Sequence, residues 1–198
     1  MASTAVSRIK SELEELLRSE KIEPCPIKIE RVNDSWTDLR GQISGPPNTP
    51  YEGGKFTLEI KVPEEYPYSP PKIRFMTLVW HPNVSFVTGT ICPDILEEKW
   101  AATMTLRTAM MSLQALLAAA QPDPRSSLVA YQFRNQHDLF MRTAKHWTHA
   151  YAGGPHTFPE FDSKIQLLVE KGYAEDDARS VLSSENWNLD KATECLVS

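Results

Sequence analysis

The sequence predicts an α+β fold followed by a small helical appendage, and three observations predict it. Four short segments between residues 27 and 76 carry apolar side chains at about every second position, the mark of half-buried strands. Helical periodicity precedes them once and resumes after residue 105. A stretch rich in glycine and proline, AGGPHTFPEF, then leads into a segment with helical spacing alone. The expected organisation is a first unit over residues 1–153, a linker over 154–159 and a three-helix bundle over 160–198.

Each element follows from its own residues. Val6, Ile9, Leu13, Leu16 and Leu17 fall at helical spacing, with Ser3 or Thr4 available as N-cap and a solvated outer face of Arg8, Lys10 and Glu14. IKIERV, WTDLRGQISG, KFTLEIKV and KIRFM read as an antiparallel meander with one buried face. The connectors GPPNTPYEGG and PEEYPYSPPK concentrate proline and glycine, which set turns without needing partners. After Trp80 no period holds until TLRTAMMSLQALLAAA, an apolar helix starting near Thr105. A gap of that length inside a compact domain is usually functional. QPDPRSS ends this helix, and one or two more follow between Leu128 and Tyr151, with Phe140, Ala144 and Trp147 available for burial.

Composition narrows the function. No run reaches the length of a membrane span, and charges interrupt the N-terminus where a signal peptide would be apolar, so a cytosolic protein without a membrane partner is expected. The net charge of −5 argues against nucleic acid as partner. Residues 160–198 hold nine acids against four bases, which leaves 17 against 17 for the rest, so the tail carries the whole imbalance. Cys25, Cys92 and Cys195 lie far apart with no CxxC spacing, which suggests neither a disulfide framework nor a metal site. Cys25, between two prolines, and Cys195, on the last helix, read as small buried hydrophobes.

Cys92 differs because it stands in the long irregular segment, nine positions after Asn83. A cysteine hydrolase would need an imidazole beside the sulfur, and His81, the one histidine near in sequence, is held extended by Pro82 and reads as structural. His137, His146, His149 and His156 remain open on sequence grounds. A thioester carrier needs no such base: its acyl group is already activated toward an amine. It needs a donor for the oxyanion, which an amide such as Asn83 supplies at about 100- to 1,000-fold in rate, and a desolvated approach for the lysine.

HPNV followed by GTICPDILEEKW resembles the active-site signature of ubiquitin-conjugating enzymes, and GPPNTPYEGGKF, YPYSPPKIRF and TLRTAMMSLQALLAAAQPDP resemble that family's flanking blocks in the same order. The likeness covers residues 4 to 152, and the tail resembles a ubiquitin-associated domain. It implies a ubiquitin-conjugating core, with a four-stranded antiparallel meander sheet and flanking helices, followed by a three-helix ubiquitin-associated bundle. Cys92 would take ubiquitin from the activating enzyme by transthiolation and pass it to a lysine of a substrate or of another ubiquitin, building chains for proteasomal degradation. No cofactor is implied on the chain itself, since ATP is consumed by the activating enzyme. A cytoplasmic location, with the nucleus as a second, goes with this reading.

The resemblance also assigns residues. Asn83 would stabilise the oxyanion or brace the loop, and His81 and Pro82 would hold its shape. The acidic gate near the incoming lysine falls on Asp123 or, because QPDPRSS is one residue short of the usual block, on Ser126. Arg8 and Lys10 resemble the docking site for the activating enzyme; Tyr68, Trp100, Ala102 and Thr103 resemble loops that face RING-type ligases. Gly172, Tyr173, Leu196 and Val197 resemble the tail's ubiquitin-binding patch, in which Lys171 replaces an apolar residue. Pro93 stands where the family usually has leucine and removes a backbone donor beside the sulfur. A non-catalytic ubiquitin-binding scaffold is the alternative.

Overall fold

The computed structural model describes residues 3–123 and 127–198. Helix α1 (Thr4–Glu20) is followed by strands β1 (Ile27–Arg31), β2 (Asp38–Ser44), β3 (Lys55–Lys61) and β4 (Lys72–Phe75). They form one antiparallel sheet in the order β1-β2-β3-β4. Short helix α2 (Pro93–Leu96) interrupts the irregular segment, and α3 (Leu106–Ala118), α4 (Leu128–Asn135) and α5 (His137–Ala152) complete the first unit. Helices α6 (Pro159–Glu170), α7 (Glu175–Ser184) and α8 (Leu189–Val197) form the tail bundle.

The alternation read from the sequence sets the buried face. Phe56, Leu58 and Ile60 of β3 and Leu39, Gly41 and Ile43 of β2 point into the core, while Arg40, Gln42, Thr57 and Glu59 occupy the opposite face. Against this face lies α3, through Leu106, Met110 and Leu113. Gly41 makes the approach close: a Cβ there would lie 2.3 Å from the Met110 methyl. On α1 the buried residues are Ala5, Ile9 and Leu16, whereas Leu17, placed on the apolar stripe by periodicity, is 60% exposed. One residue along a helix rotates about 100°, so Leu16 and Leu17 cannot both face the sheet squarely.

Two apolar clusters result among the described residues. The larger one joins α1, the sheet and α3 to α5; the smaller one gathers Phe161, Ile165, Leu168, Ala178, Leu182, Trp187 and Ala192 of the tail. The tail packs on α5 through buried polar bonds: Trp187 Nε1 donates to Thr143 Oγ1 at 2.9 Å and Trp147 Nε1 to Ser183 Oγ at 2.9 Å. Arg142 pairs with Glu160 across the same seam. Cys195 is exposed on α8, with its thiol 3.6 Å from Glu185 Oε1, which corrects the expectation of a buried hydrophobe. The apolar stripe of so short a helix is carried instead by Ala192 and the half-buried Leu196.

Candidate active site

The irregular segment after β4 is pinned down by its own backbone. Phe75 N–H donates to Gly89 O at 2.9 Å, Ser85 N–H to Thr90 O at 2.9 Å, and Gly89 N–H to Ser85 O at 2.8 Å. Isolated bridges pair Val84 with Ile91 and His81 with Val84. This folded-back loop brings Asn83 beside Cys92, whose N–H donates to Asn83 O at 3.0 Å. Gly89 permits the return: its φ is +75°, and a Cβ there would lie 1.8 Å from Phe75 O.

Cys92 is half-buried and immediately precedes α2, with φ −56° and ψ 130°. That extended conformation is the one proline imposes on its predecessor. Pro93 itself occupies the first turn of α2, where an N–H has no intrahelical partner, so its missing donor costs the helix little. The thiol's pKa is raised, first by burial and then by the carboxylates of Asp94 and Asp123. Asp123 therefore lies close enough to act on the sulfur electrostatically, while Ser126 lies outside the described residues.

The Asn83 carboxamide is committed to the loop after α3. Its Nδ2 donates to Gln121 O at 2.7 Å and its Oδ1 accepts from Gln121 N–H at 2.8 Å. These two bonds tie the irregular segment to the loop after α3, and one Nδ2 hydrogen remains beyond the clamp. Lys99 Nζ adds a third tie to Gln121 at its Oε1, 3.3 Å. His81 is buried, with Pro82 buried beside it. Its Nδ1 accepts from Asn83 N–H at 3.0 Å, so the proton sits on Nε2, which donates to Leu116 O at 2.9 Å. This bond satisfies one of the carbonyls left free at the C-terminal end of α3. Burial drives the His81 pKa down to about 4 against the raising effect of that carbonyl. His137, His146 and His149 bind Phe133 O, Arg179 and Gly154 O respectively, away from the sulfur.

The remaining expected residues fall in three places. Arg8 Nε donates to Glu12 Oε1 at 2.7 Å and its Nη2 to Met104 O at 3.1 Å, while the Lys10 ammonium lies 5.1 Å from the centre of the Trp36 ring. Tyr68 is 80% exposed, and Trp100 Nε1 donates to Pro67 O at 2.7 Å, so the loop of Tyr68 is joined to the segment of Trp100, Ala102 and Thr103. In the tail, Gly172 turns the chain at φ +99°, Tyr173 and Leu196 are half-buried and Val197 is 74% exposed. Lys171 and Val197 line one shallow concavity with Leu189.

Sequence reasoning does not single out Gln121, Asp94 or Glu12. Gln121 engages Asn83 only through its main chain, which leaves no trace in residue type. Asp94, two positions from Cys92, is the one with a readable signal, since a carboxylate that near a thiol opposes the thiolate.

A sequence profile described as ubiquitin-conjugating enzyme matches residues 8–148. The chain is 68% identical over 199 residues to Ubiquitin-conjugating enzyme E2-22 kDa of Drosophila melanogaster, with all of both chains covered. It is 52% identical to Ubiquitin-conjugating enzyme E2 K of Homo sapiens, again over the full length of both. Among solved structures, a putative ubiquitin conjugating enzyme from Plasmodium yoelii superposes with a TM-score of 0.70 at 43% identity, covering 78% of this chain and 99% of that one. The E2 domain of a Toxoplasma gondii ubiquitin conjugating enzyme gives a TM-score of 0.67 at 44% identity, covering 74% and 97%. The chain belongs to the ubiquitin-conjugating enzyme family and is a ubiquitin-conjugating transferase.

Proposed function

We propose that Cys92 carries ubiquitin as a thioester and that the chain extends polyubiquitin for proteasomal degradation. The observation that carries the reading is a half-exposed thiol, backbone-bonded to Asn83, with carboxylates as its charged neighbours. In charging, the Cys92 sulfur attacks the ubiquitin thioester on the activating enzyme; the new S–C bond forms, the old one breaks, and the thiol proton leaves with the departing sulfur. In discharge, a lysine nitrogen attacks the same carbonyl, Cys92 departs as thiolate, and the surplus amine proton returns to it.

The acidic surroundings act on the charged ester and on the incoming amine. A raised thiol pKa makes the sulfur a slower leaving group, which protects the ester between encounters. Asp123 attracts the lysine ammonium and accepts a hydrogen bond from the attacking nitrogen, the gate role. Asn83 braces the loop through Gln121, and its spare N–H serves the oxyanion. His81 and Pro82 hold the loop from below, and no cofactor takes part beyond the ATP used upstream.

Partners are proposed by surface. The α1 face with Arg8 and Lys10 receives the activating enzyme, and Tyr68 with Trp100, Ala102 and Thr103 receives RING-type ligases. Residues 160–198 form the ubiquitin-associated domain, joined through 154–159 to the catalytic core of 1–153; Gly172, Tyr173, Leu196 and Val197 hold a ubiquitin in reserve. The protein works in the cytoplasm and nucleus. Among the described residues no helix is long and apolar enough to cross a membrane.

The test is charging with activating enzyme, ubiquitin and ATP. An adduct lost on adding reductant is expected, and Cys92→Ser should give an oxyester that survives it. A chain that forms no adduct but still perturbs ubiquitin's NMR spectrum would favour the scaffold reading. Mass spectrometry of the products would then read the chain linkage.

A further inference from the structure

The tail reaches the residue next to the active-site loop. On α4 the Gln132 side chain is buried, and its two ends face opposite ways: Oε1 accepts from Trp80 Nε1–H at 2.9 Å, and Nε2 donates to Asn186 Oδ1 at 3.0 Å. Trp80 immediately precedes His81, and its carbonyl accepts the Tyr51 hydroxyl at 2.8 Å. Its ring lies 5.2 Å from that of Trp147, which in turn donates to Ser183 of α7 at 2.9 Å. The tail therefore grips Trp80 twice, once through the Gln132 amide and once through the Trp147 indole.

Asn186 sits in the turn between α7 and α8 with φ +52°, a conformation that asparagine tolerates better than most side chains. A buried amide must satisfy both ends: the Trp80 N–H, a donor only, fixes the Gln132 oxygen on its side, and the Asn186 oxygen holds the other end of the amide in place. From Trp80 the connection is covalent: Trp80, His81, Pro82, Asn83. Asn83 then holds Cys92 N–H through its carbonyl and Gln121 through its amide.

We propose that Asn186 and Gln132 are positioning residues for the conjugation reaction, through which the docked tail fixes the loop that carries Cys92. The proposal rests on Cys92 being the ubiquitin carrier. Because interiors are packed at crystal density, a freed Gln132 amide would let the Trp80 ring shift and the loop after it relax.

The experiment uses the full chain with two substitutions. Asn186→Gly removes the acceptor and keeps the left-handed backbone; Asn186→Asp keeps an oxygen acceptor at the same place. Two readouts are taken: hydrogen exchange of the uncharged protein at the amides of Asn83, Cys92 and α7, and single-turnover discharge of the ubiquitin thioester to free lysine. For Asn186→Gly, exchange at Asn83 and Cys92 should quicken and discharge should slow by roughly 2- to 30-fold, the span typical of substitutions in such networks. Exchange in α7 should stay at the parent rate, and Asn186→Asp should match the parent in everything. Parent-like exchange and discharge in Asn186→Gly would overturn the proposal, as would an Asn186→Asp protein that behaves like the glycine variant. Faster exchange throughout α7 would overturn it too, by tracing the effect to loss of docking as a whole. Failure of the parent chain to form any adduct would fall on the carrier reading alone, since the exchange arm needs no ubiquitin.

Discussion

At the scale of single residues, the Cys92 thiol is held in its protonated form more firmly than a free cysteine. Burial is the first cause, and Asp94 and Asp123 add to it. Each neutralising substitution should then lower the thiol's pKa. We expect the pH midpoint of iodoacetamide labelling at Cys92 to move down in Asp94→Asn and in Asp123→Asn; an unmoved midpoint in both would mean that burial alone sets it. Asn83 is expected to matter through geometry. With Asn83→Ala, the Gln121 amide loses its partner, so exchange at Gln121 should rise and lysine discharge fall by about 100-fold, the typical cost of misplacing a reacting group by about 1 Å. Fast exchange with unimpaired discharge would deny Asn83 any part in the reaction. Cys92 and Asn83 are legible in the sequence as candidates because their residue types carry chemistry in an irregular stretch. Gln121 is not, because main-chain atoms are the same in every residue.

At the scale of elements, one carboxylate couples three segments. Glu12 of α1 accepts from Arg8 at 2.7 Å and Tyr66 OH at 2.6 Å through Oε1, and from Leu106 N–H at 2.8 Å through Oε2. It thus fastens α1 to the loop before Tyr68 and satisfies a free N–H in the first turn of α3. Glu12→Ala would leave the Tyr66 hydroxyl without its acceptor and the Leu106 amide with the Tyr66 oxygen alone, at about 1 to 3 kcal/mol of stability by urea denaturation, the typical cost of one unpaired buried donor. A loss under about 0.5 kcal/mol, the range of an ordinary surface change, would contradict the hub. Gly89→Ala should be as harmful for another reason: the new methyl group would collide with Phe75 O in a left-handed backbone. The elements themselves are largely readable, because periods of 2 and 3.6 are written in the side chains. Short α2 is not, being one turn begun by Pro93 in a segment without a period.

At the scale of the whole molecule, two buried histidines tie stability to pH. His81 and His146 are each depressed to about 4 from 6.5, His146 by burial first and then by Arg179 and His149. Arg179 Nε–H donates to His146 Nε2 at 3.2 Å, so a proton on that nitrogen would set two donors against each other. Around His146 the neighbours are Arg179 of α7, Asp162 of α6 with Oδ1 3.8 Å from Nδ1, and His149 of its own helix. Below pH 6.5 the unfolded chain binds protons at both histidines while the folded chain does not. Stability from this source is therefore complete above 6.5 and declines as pH falls toward about 4, by up to about 1.4 kcal/mol per pH unit for each group. Urea denaturation at pH 7 and pH 5 should show the decline, and His146→Gln should reduce it; equal stability at both pH values would refute the linkage.

Residue order alone determined the meander, the apolar helix behind it and the fold class, and made Cys92 the candidate nucleophile, because each depends on local period or on the chemistry of one side chain. Tertiary structure alone decided which groups meet: Asn83 with Gln121, His81 with Leu116, Glu12 with Leu106, and the tail with Trp80 through Gln132. Those pairs are 35 to 94 positions apart along the chain, and the Gln132–Asn186 link spans 54. Contacts at such separations come from packing faces whose relative position no local pattern encodes.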